Sequence, residues 1–137
     1  MPAQYRVFAA FFIYALTMGQ IYPRLGDLQL QMGVAEGALG AALMGAALGT
    51  QISLMFAGPM IEKLGYRLCL IIAIPMLGLA ETIATLAPGP WFFFIFLMIA
   101  GMAIGVIEII VNVEADRTEH MIGKRIMNRA HAFWSFG

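Results

Sequence analysis

The sequence contains few charged residues. Asp, Glu, Lys and Arg make up only 12% of the 137 residues, whereas soluble domains use about 25%. The eight basic and eight acidic residues cancel, so the net charge points to neither nucleic acid nor an acidic partner. With 61% hydrophobic residues and a mean hydropathy of +0.85, the composition is typical of a membrane protein.

Residues that support catalysis or cross-linking are also scarce. The single cysteine, Cys69, excludes an internal disulfide. His120 and His131 are far apart in sequence and no cysteine cluster lies near them, so we expect no metal site. The sequence also contains no phosphate-binding glycine loop and no nucleophile paired with a base. We therefore expect neither an enzyme nor a cofactor.

Four hydrophobic runs are long enough to cross a membrane as helices. A hydrocarbon core of about 30 Å takes about 20 apolar residues in a helix. We call the runs segments 1 to 4, and they cover residues 7–23, 34–57, 68–87 and 91–113. The N-terminus has one basic residue and no cleavage site after segment 1, so that segment is expected to be retained. The predicted fold class is an all-α membrane protein.

The basic residues lie mainly on one side of this four-span layout. Seven of the eight share the side of the N-terminus: Arg6, Lys63, Arg67, Arg117, Lys124, Arg125 and Arg129. Only Arg24 falls on the other side. By the positive-inside rule, this bias predicts a multi-pass protein with a cytoplasmic N-terminus.

Small residues recur at helical spacing in segments 2 and 4. Segment 2 has one every four residues, at Gly37, Ala41, Gly45, Gly49, Ser53 and Ala57. Segment 4 has Gly101 and Gly105. Such stripes let another helix approach closely, and close packing drives helix association in lipid. We therefore expect Gly45, Gly49, Gly101 and Gly105 to lie at helix contacts.

The end of segment 4 carries polar groups in an apolar run. Glu108 and Asn112 follow Gly105 at spacings of three and four, which places all three on one helix face. Burial disfavours an ionised carboxyl, so Glu108 is a candidate for taking up and releasing a proton in a cavity. The alternative for Glu108 is a surface pair with Arg117 or Lys124. For Asn112, the alternative is an interhelical hydrogen bond.

Segments 1 and 3 add further polar positions. Tyr14, Thr17 and Gln20 share one face of segment 1. Tyr14 and Gln20 are candidates for lining a cavity opposite Glu108, with anchoring at the membrane interface as the alternative. Glu81 lies close to the outer end of segment 3, and we expect its side chain to extend to that interface.

The stretch "HAFWSFG" begins another apolar run near residue 131. The sequence thus predicts four transmembrane helices plus the start of a fifth, in a fragment of a longer protein.

The loop predicted between segments 2 and 3, at residues 58–67, resembles the signature of major facilitator superfamily (MFS) transporters. That signature is a glycine, three residues, an aspartate, a basic residue, any residue, a glycine and a basic pair. Here Gly58, Glu62, Lys63, Gly65 and Arg67 match it, with glutamate for the aspartate and Tyr66 interrupting the basic pair. In the superfamily this charge cluster holds the two halves together in one conformation.

The stretches "FFIYALTMGQIYPRLGDLQLQMGVAEGALGAALMGAALG", "IEIIVNVEADR" and "GKRIMNRAHAFWSFG" resemble the branch with the bypass-of-stop-codon transporters and the fucose permeases. This resemblance implies that residues 1–137 are the N-terminal part of a twelve-helix transporter built of two six-helix halves. The implied partners are a small-molecule solute, the lipid bilayer and the remaining helices, with no nucleic acid.

Fucose permeases carry a glutamate and, four residues later, an asparagine in their fourth helix, as Glu108 and Asn112 do here. The resemblance implies that Glu108 takes part in sugar recognition and proton coupling, in the inner membrane. The permeases also carry an acidic residue in the first helix, where this sequence has Gln20 and Tyr22.

Two other functions stay open at this point. A complete four-helix carrier could dimerise as small multidrug exporters do, although those place their glutamate in the first helix. A membrane scaffold or assembly subunit could use the small-residue stripe of segment 2 without transporting anything, and it would tolerate Glu108→Gln.

Overall fold

A computed structural model describes residues 2–137, which are all helical or in short connections. There are six α-helices: α1 Ala3–Gly19, α2 Leu25–Met32, α3 Glu36–Leu64, α4 Tyr66–Ala84, α5 Pro90–Ile122 and α6 Met127–Phe136. A 3₁₀ turn at Tyr22–Arg24 joins α1 to α2. Segments 1 to 4 correspond to α1, α3, α4 and α5, and the predicted fifth helix corresponds to α6.

Three helices, namely α3, α4 and α5, are long and apolar enough to cross a membrane. The 29 residues of α3 and the 33 of α5 extend for about 44 and about 50 Å at 1.5 Å per residue, more than a bilayer core requires. The 17 residues of α1 extend for about 26 Å. Residues 2–137 are therefore all-helical, with three candidate membrane spans. The predicted count of four spans plus the start of a fifth is not confirmed.

Helix boundaries differ from the hydrophobic runs. α1 starts at Ala3 and stops at Gly19, before the 3₁₀ turn and the additional helix α2. That short helix was missed, because its eight residues include Asp27 and two glutamines and do not form an apolar run. α5 continues to Ile122, well past the apolar part that ends at residue 113.

The connection between α3 and α4 is a single residue, so the prediction of a loop at residues 58–67 was wrong. Residues 58–64 form the last two turns of α3, with Pro59 inside the helix. The break falls at Gly65, whose φ of 80° is a conformation that glycine adopts without steric cost. The residues that resemble the MFS signature therefore form the end of α3, a one-residue break at Gly65 and the start of α4.

The contacts between helices fix their relative directions. Gly45 of α3 lies beside Phe94 of α5, and Gly49 lies beside Met98, so these helices run parallel. On the other side of the bundle, Gly78 of α4 lies beside Thr17 of α1, and their neighbours Glu81 and Gln20 are hydrogen-bonded. Thus α1 and α4 also run parallel to each other.

The two remaining helices are α6, which packs along α1, and α2, which packs against α3 and α5. In α6, Phe133 stacks on Phe8 of α1 with ring centroids 4.9 Å apart. The carboxylate of Glu119 accepts hydrogen bonds from the backbone N–H groups of Ile126 and Met127, at 2.5 and 2.7 Å, where α6 begins. Leu28 of α2 is buried in an apolar cluster with residues of α3 and α5.

Candidate functional site

The glycines of α3 and α5 lie where these helices cross. A Cβ on Gly49 would meet the backbone of Met98, and one on Gly101 would meet the backbone of Ala46. Likewise Gly45 lies against the carbonyl group of Phe94, and Gly105 against Ser53 and Thr50. Helix backbones can approach this closely only where neither side chain intervenes.

The small-residue stripe does not extend along the whole of α3. Gly45, Gly49, Ser53 and Ala57 are buried, whereas Gly37 and Ala41 at the start of the helix are exposed. Within the crossing, the Thr50 hydroxyl donates to the carbonyl oxygens of Ala46 and Gly101, at 3.0 and 3.1 Å. One hydrogen bond therefore joins the two helices at their closest approach.

Glu108 is half-buried on α5, on the side that packs against α1. The hydroxyl of Tyr14, which is only 3% exposed, comes close to its carboxyl group. Within residues 2–137, Glu108 pairs with neither Arg117 nor Lys124, the two partners considered as an alternative. Arg117 lies 3.7 Å from Glu114 instead. The hydroxyl of Tyr14 and the carboxyl of Glu108 thus bring two polar groups together between α1 and α5.

The side chain of Asn112 turns back along its own helix. Its amide Nδ2 donates to the Glu108 carbonyl oxygen at 2.8 Å, so the two residues share a face as their spacing predicts. The interhelical hydrogen bond considered as an alternative does not form through this amide. The Asn112 side chain instead forms a hydrogen bond to the backbone of its own helix, one turn earlier at Glu108.

Gln20 lies just beyond the end of α1 and contacts α4. Its Nε2 donates to Glu81 Oε2 at 3.3 Å. Glu81 is only 3% exposed, so the expectation that it extends to the membrane interface was wrong. Sequence spacing gave no sign of this contact, because it depends on how α1 and α4 pack.

A cavity of about 430 Å³ opens at the opposite end of these helices. It lies between the starts of α1 and α4 and the end of α5, and its polar lining includes Arg6, Arg67 and Glu114. Tyr14, Glu108 and Asn112 are not among the residues that line it. The structure therefore brings the two arginines to the same end of the bundle as the charged end of α5.

The residues that resemble the MFS signature surround this end. Gly58, Glu62 and Lys63 are exposed on the last turns of α3, Gly65 forms the break and Arg67 is exposed at the start of α4. Within residues 2–137, Glu62, Lys63 and Arg67 form no ion pair. Their side chains are free to bind groups outside the described bundle.

Two curated proteins are similar to this chain along most of its length. An uncharacterised MFS-type transporter of Yersinia pestis is 28% identical over 135 residues, which is 93% of this chain and 33% of that protein. An uncharacterised transporter of Sinorhizobium fredii is 33% identical over 138 residues, which is 96% of this chain and 35% of that protein. No protein-family model matches the chain, and no solved structure gives a significant match.

The chain spans about a third of the length of these relatives. Both are named as transporters, in agreement with the expectation that this chain is not an enzyme. Apolar helices together with these relatives identify an integral membrane protein, similar to one third of an MFS-type transporter.

Proposed function

We propose that the chain is the N-terminal part of a secondary transporter that moves a small polar solute by alternating access, with proton coupling. The observation that carries the proposal is the contact between Glu108 and Tyr14 inside the apolar part of the bundle. A charged carboxylate at the centre of a membrane helix costs roughly 2.5 to 3.5 kcal/mol. Such a cost is explained when the carboxylate binds a proton or a solute.

The positions of the candidate residues support this role. Glu108 and Tyr14 lie on facing helices, and Asn112 holds the backbone beside Glu108. Gln20, one residue beyond the end of α1, adds an amide that bonds to Glu81 of α4. Polar groups on one face of α1 and α5 offer hydrogen bonds to a hydroxylated solute, and sugars are the first class to test.

We propose further that this chain belongs to a longer protein and has one fixed orientation in the membrane. Both relatives are about three times as long as this chain, and we propose that the missing length supplies the rest of the first half and the second half. The end of the bundle with Arg6 and Arg67 faces the cytoplasm, in keeping with the positive-inside rule. There the cluster of Glu62, Lys63 and Arg67 contacts the second half in one state of the cycle.

The test is solute uptake into vesicles that contain the full-length protein. A panel of sugars and other small polar solutes is offered with and without an inward proton gradient, to the native protein and to Glu108→Gln. We expect one solute to accumulate with the gradient, and Glu108→Gln to abolish this response. Glu36→Gln is the matched control, because Glu36 is exposed at the start of α3.

Two results would contradict the proposal. If uptake and its gradient dependence survive Glu108→Gln, the carboxylate has a structural role only. If no solute is carried and the protein still assembles in the membrane, the scaffold function gains support.

A further inference from the structure

Glu81 is a buried carboxylate that the proposed function does not use. It lies in the last turn and a half of α4 and is 3% exposed. Its hydrogen-bond donor is the amide of Gln20, at 3.3 Å, just beyond the usual range for N–H···O bonds. An ionised carboxylate in this position is poorly compensated, because buried charges need paired or hydrogen-bonding partners.

A small polar cavity lies next to this carboxylate. It has a volume of about 240 Å³, and its lining is Gln20, Ile21, Arg24, Glu81, Thr82 and Thr85. A water molecule takes about 30 Å³ of liquid volume, so the cavity has room for several. Because Arg24 and Thr82 are exposed, water can reach Glu81 from this end of the bundle.

The neighbouring polar groups do not neutralise Glu81. The hydroxyl groups of Thr82 and Thr85 donate to carbonyl oxygens of their own helix, Gly78 and Thr82 respectively. Within residues 2–137, Arg24 forms no ion pair with Glu81. The titratable and charged groups that face Glu81 are the phenol of Tyr14 on α1 and the guanidinium of Arg24 on the 3₁₀ turn.

We propose that Glu81 is a second proton-binding site, at the end of the bundle opposite to the charged end of α5. Tyr14 on α1 approaches Glu108, while Gln20, one residue beyond the end of α1, binds Glu81. These two residues are six positions apart, which is about 9 Å along a helix. The role of Glu81 in transport rests on the proposed function.

Protonation of Glu81 can be measured without knowing the solute. A hydrophobic carbodiimide modifies protonated carboxyl groups in apolar surroundings, and peptide mass spectrometry then identifies the labelled residue. The full-length native protein in phospholipid vesicles is labelled across a pH series. We expect labelling of Glu81 to fall roughly tenfold per pH unit above a midpoint, following its protonated fraction, while the exposed Glu36 and Glu62 stay unlabelled.

The hydrogen bond from Gln20 gives a second measurement. Gln20→Leu removes a donor that favours the ionised form, so the labelling midpoint of Glu81 should move to higher pH. The matched control is Gln51→Leu, an identical change at an exposed glutamine of α3, which should leave the midpoint unchanged. A Glu81 carboxyl that stays ionised, or stays protonated, across the whole pH series would show no such midpoint.

The inference fails if Glu81 is unlabelled at every pH or equally labelled at every pH. Failure here can be told apart from failure of the proposed function. If Glu108→Gln uncouples uptake while Glu81 stays unlabelled, only the second site is wrong. If Glu81 labels with a midpoint while uptake ignores the proton gradient, the proton site is supported and the proton coupling of the proposed function is wrong.

Discussion

The α3–α5 and α1–α4 contacts both join parallel helices, but they do so by different means. In the first, glycines bring backbone against backbone, and the Thr50 hydroxyl adds one hydrogen bond. In the second, the ordinary contact of Gly78 with a Thr17 methyl group leaves space for polar side chains such as Gln20 and Glu81.

The bundle places its closest helix packing and its buried titratable groups at different contacts. Lipid tails are as apolar as the helices, so helices associate through close packing and hydrogen bonds. A tight contact such as α3–α5 excludes water and leaves no room for a ligand. The looser α1–α4 contact, with its adjoining cavity of about 240 Å³, has space for water and titratable groups.

The largest effect is expected from a methyl group at the tight contact. In Gly49→Ala the new Cβ would meet the carbonyl group of Met98 and come within 3.0 Å of the Met102 nitrogen. Overpacking typically costs about 1 to 3 kcal/mol, and we expect the upper end because the obstacles are backbone atoms. Thermal unfolding of the detergent-solubilised protein measures the loss.

The control for this change is Gly37→Ala in the same helix. A Cβ there meets nothing within 4 Å, and alanine favours a helix over glycine by about 1 kcal/mol. We expect unchanged or slightly higher stability. Equal losses in the two variants would contradict the assignment of Gly49 to a backbone contact.

An intermediate effect is expected from the single hydrogen bond at this crossing. Thr50→Val keeps the side-chain shape but removes the donor to the Gly101 carbonyl oxygen. Interhelical hydrogen bonds in membrane proteins contribute about 0.6 kcal/mol on average, so we expect a loss of that size in thermal unfolding. Thr82→Val is the control, since this exposed hydroxyl donates only within its own helix, to Gly78. A similar loss in both would show that the contact between helices contributes nothing.

The smallest effect is expected on the α1–α4 side. In Gly78→Ala the new Cβ lies 3.5 Å from Thr17 Cγ2, an ordinary van der Waals distance. We expect stability to change by less than about 0.5 kcal/mol, as is usual away from tight contacts. A loss as large as that of Gly49→Ala would mean that both interfaces are equally tight, and the comparison would fail.

Local sequence patterns account for part of this arrangement. Within residues 2–137, hydropathy located four of the six helices and the start of α6. Spacing placed Glu108 and Asn112 on a shared face. Helix ends were harder to locate. Gly58 and Pro59, followed by the charged Glu62 and Lys63, suggest a loop, yet α3 continues to Leu64. Helix α2 has too few apolar residues to produce a hydropathy signal.

The pairing of polar groups could not be read from the sequence. Nothing local distinguishes Glu81 as a residue that faces Gln20 from one that reaches the membrane surface, because both positions are compatible with a helix end. The difference depends on the rotation of α4 against α1, which is set by packing along the whole contact.

The sequence by itself determined that this chain is a helical membrane protein, because transfer of a segment into lipid depends on its own composition. It also determined which residues share a helix face, because the helical repeat fixes their directions. Only the tertiary structure decided that α3 and α5 meet backbone to backbone, and that Glu81 is buried against Gln20. Those contacts depend on the distance and rotation between helices, which result from packing between segments distant in sequence.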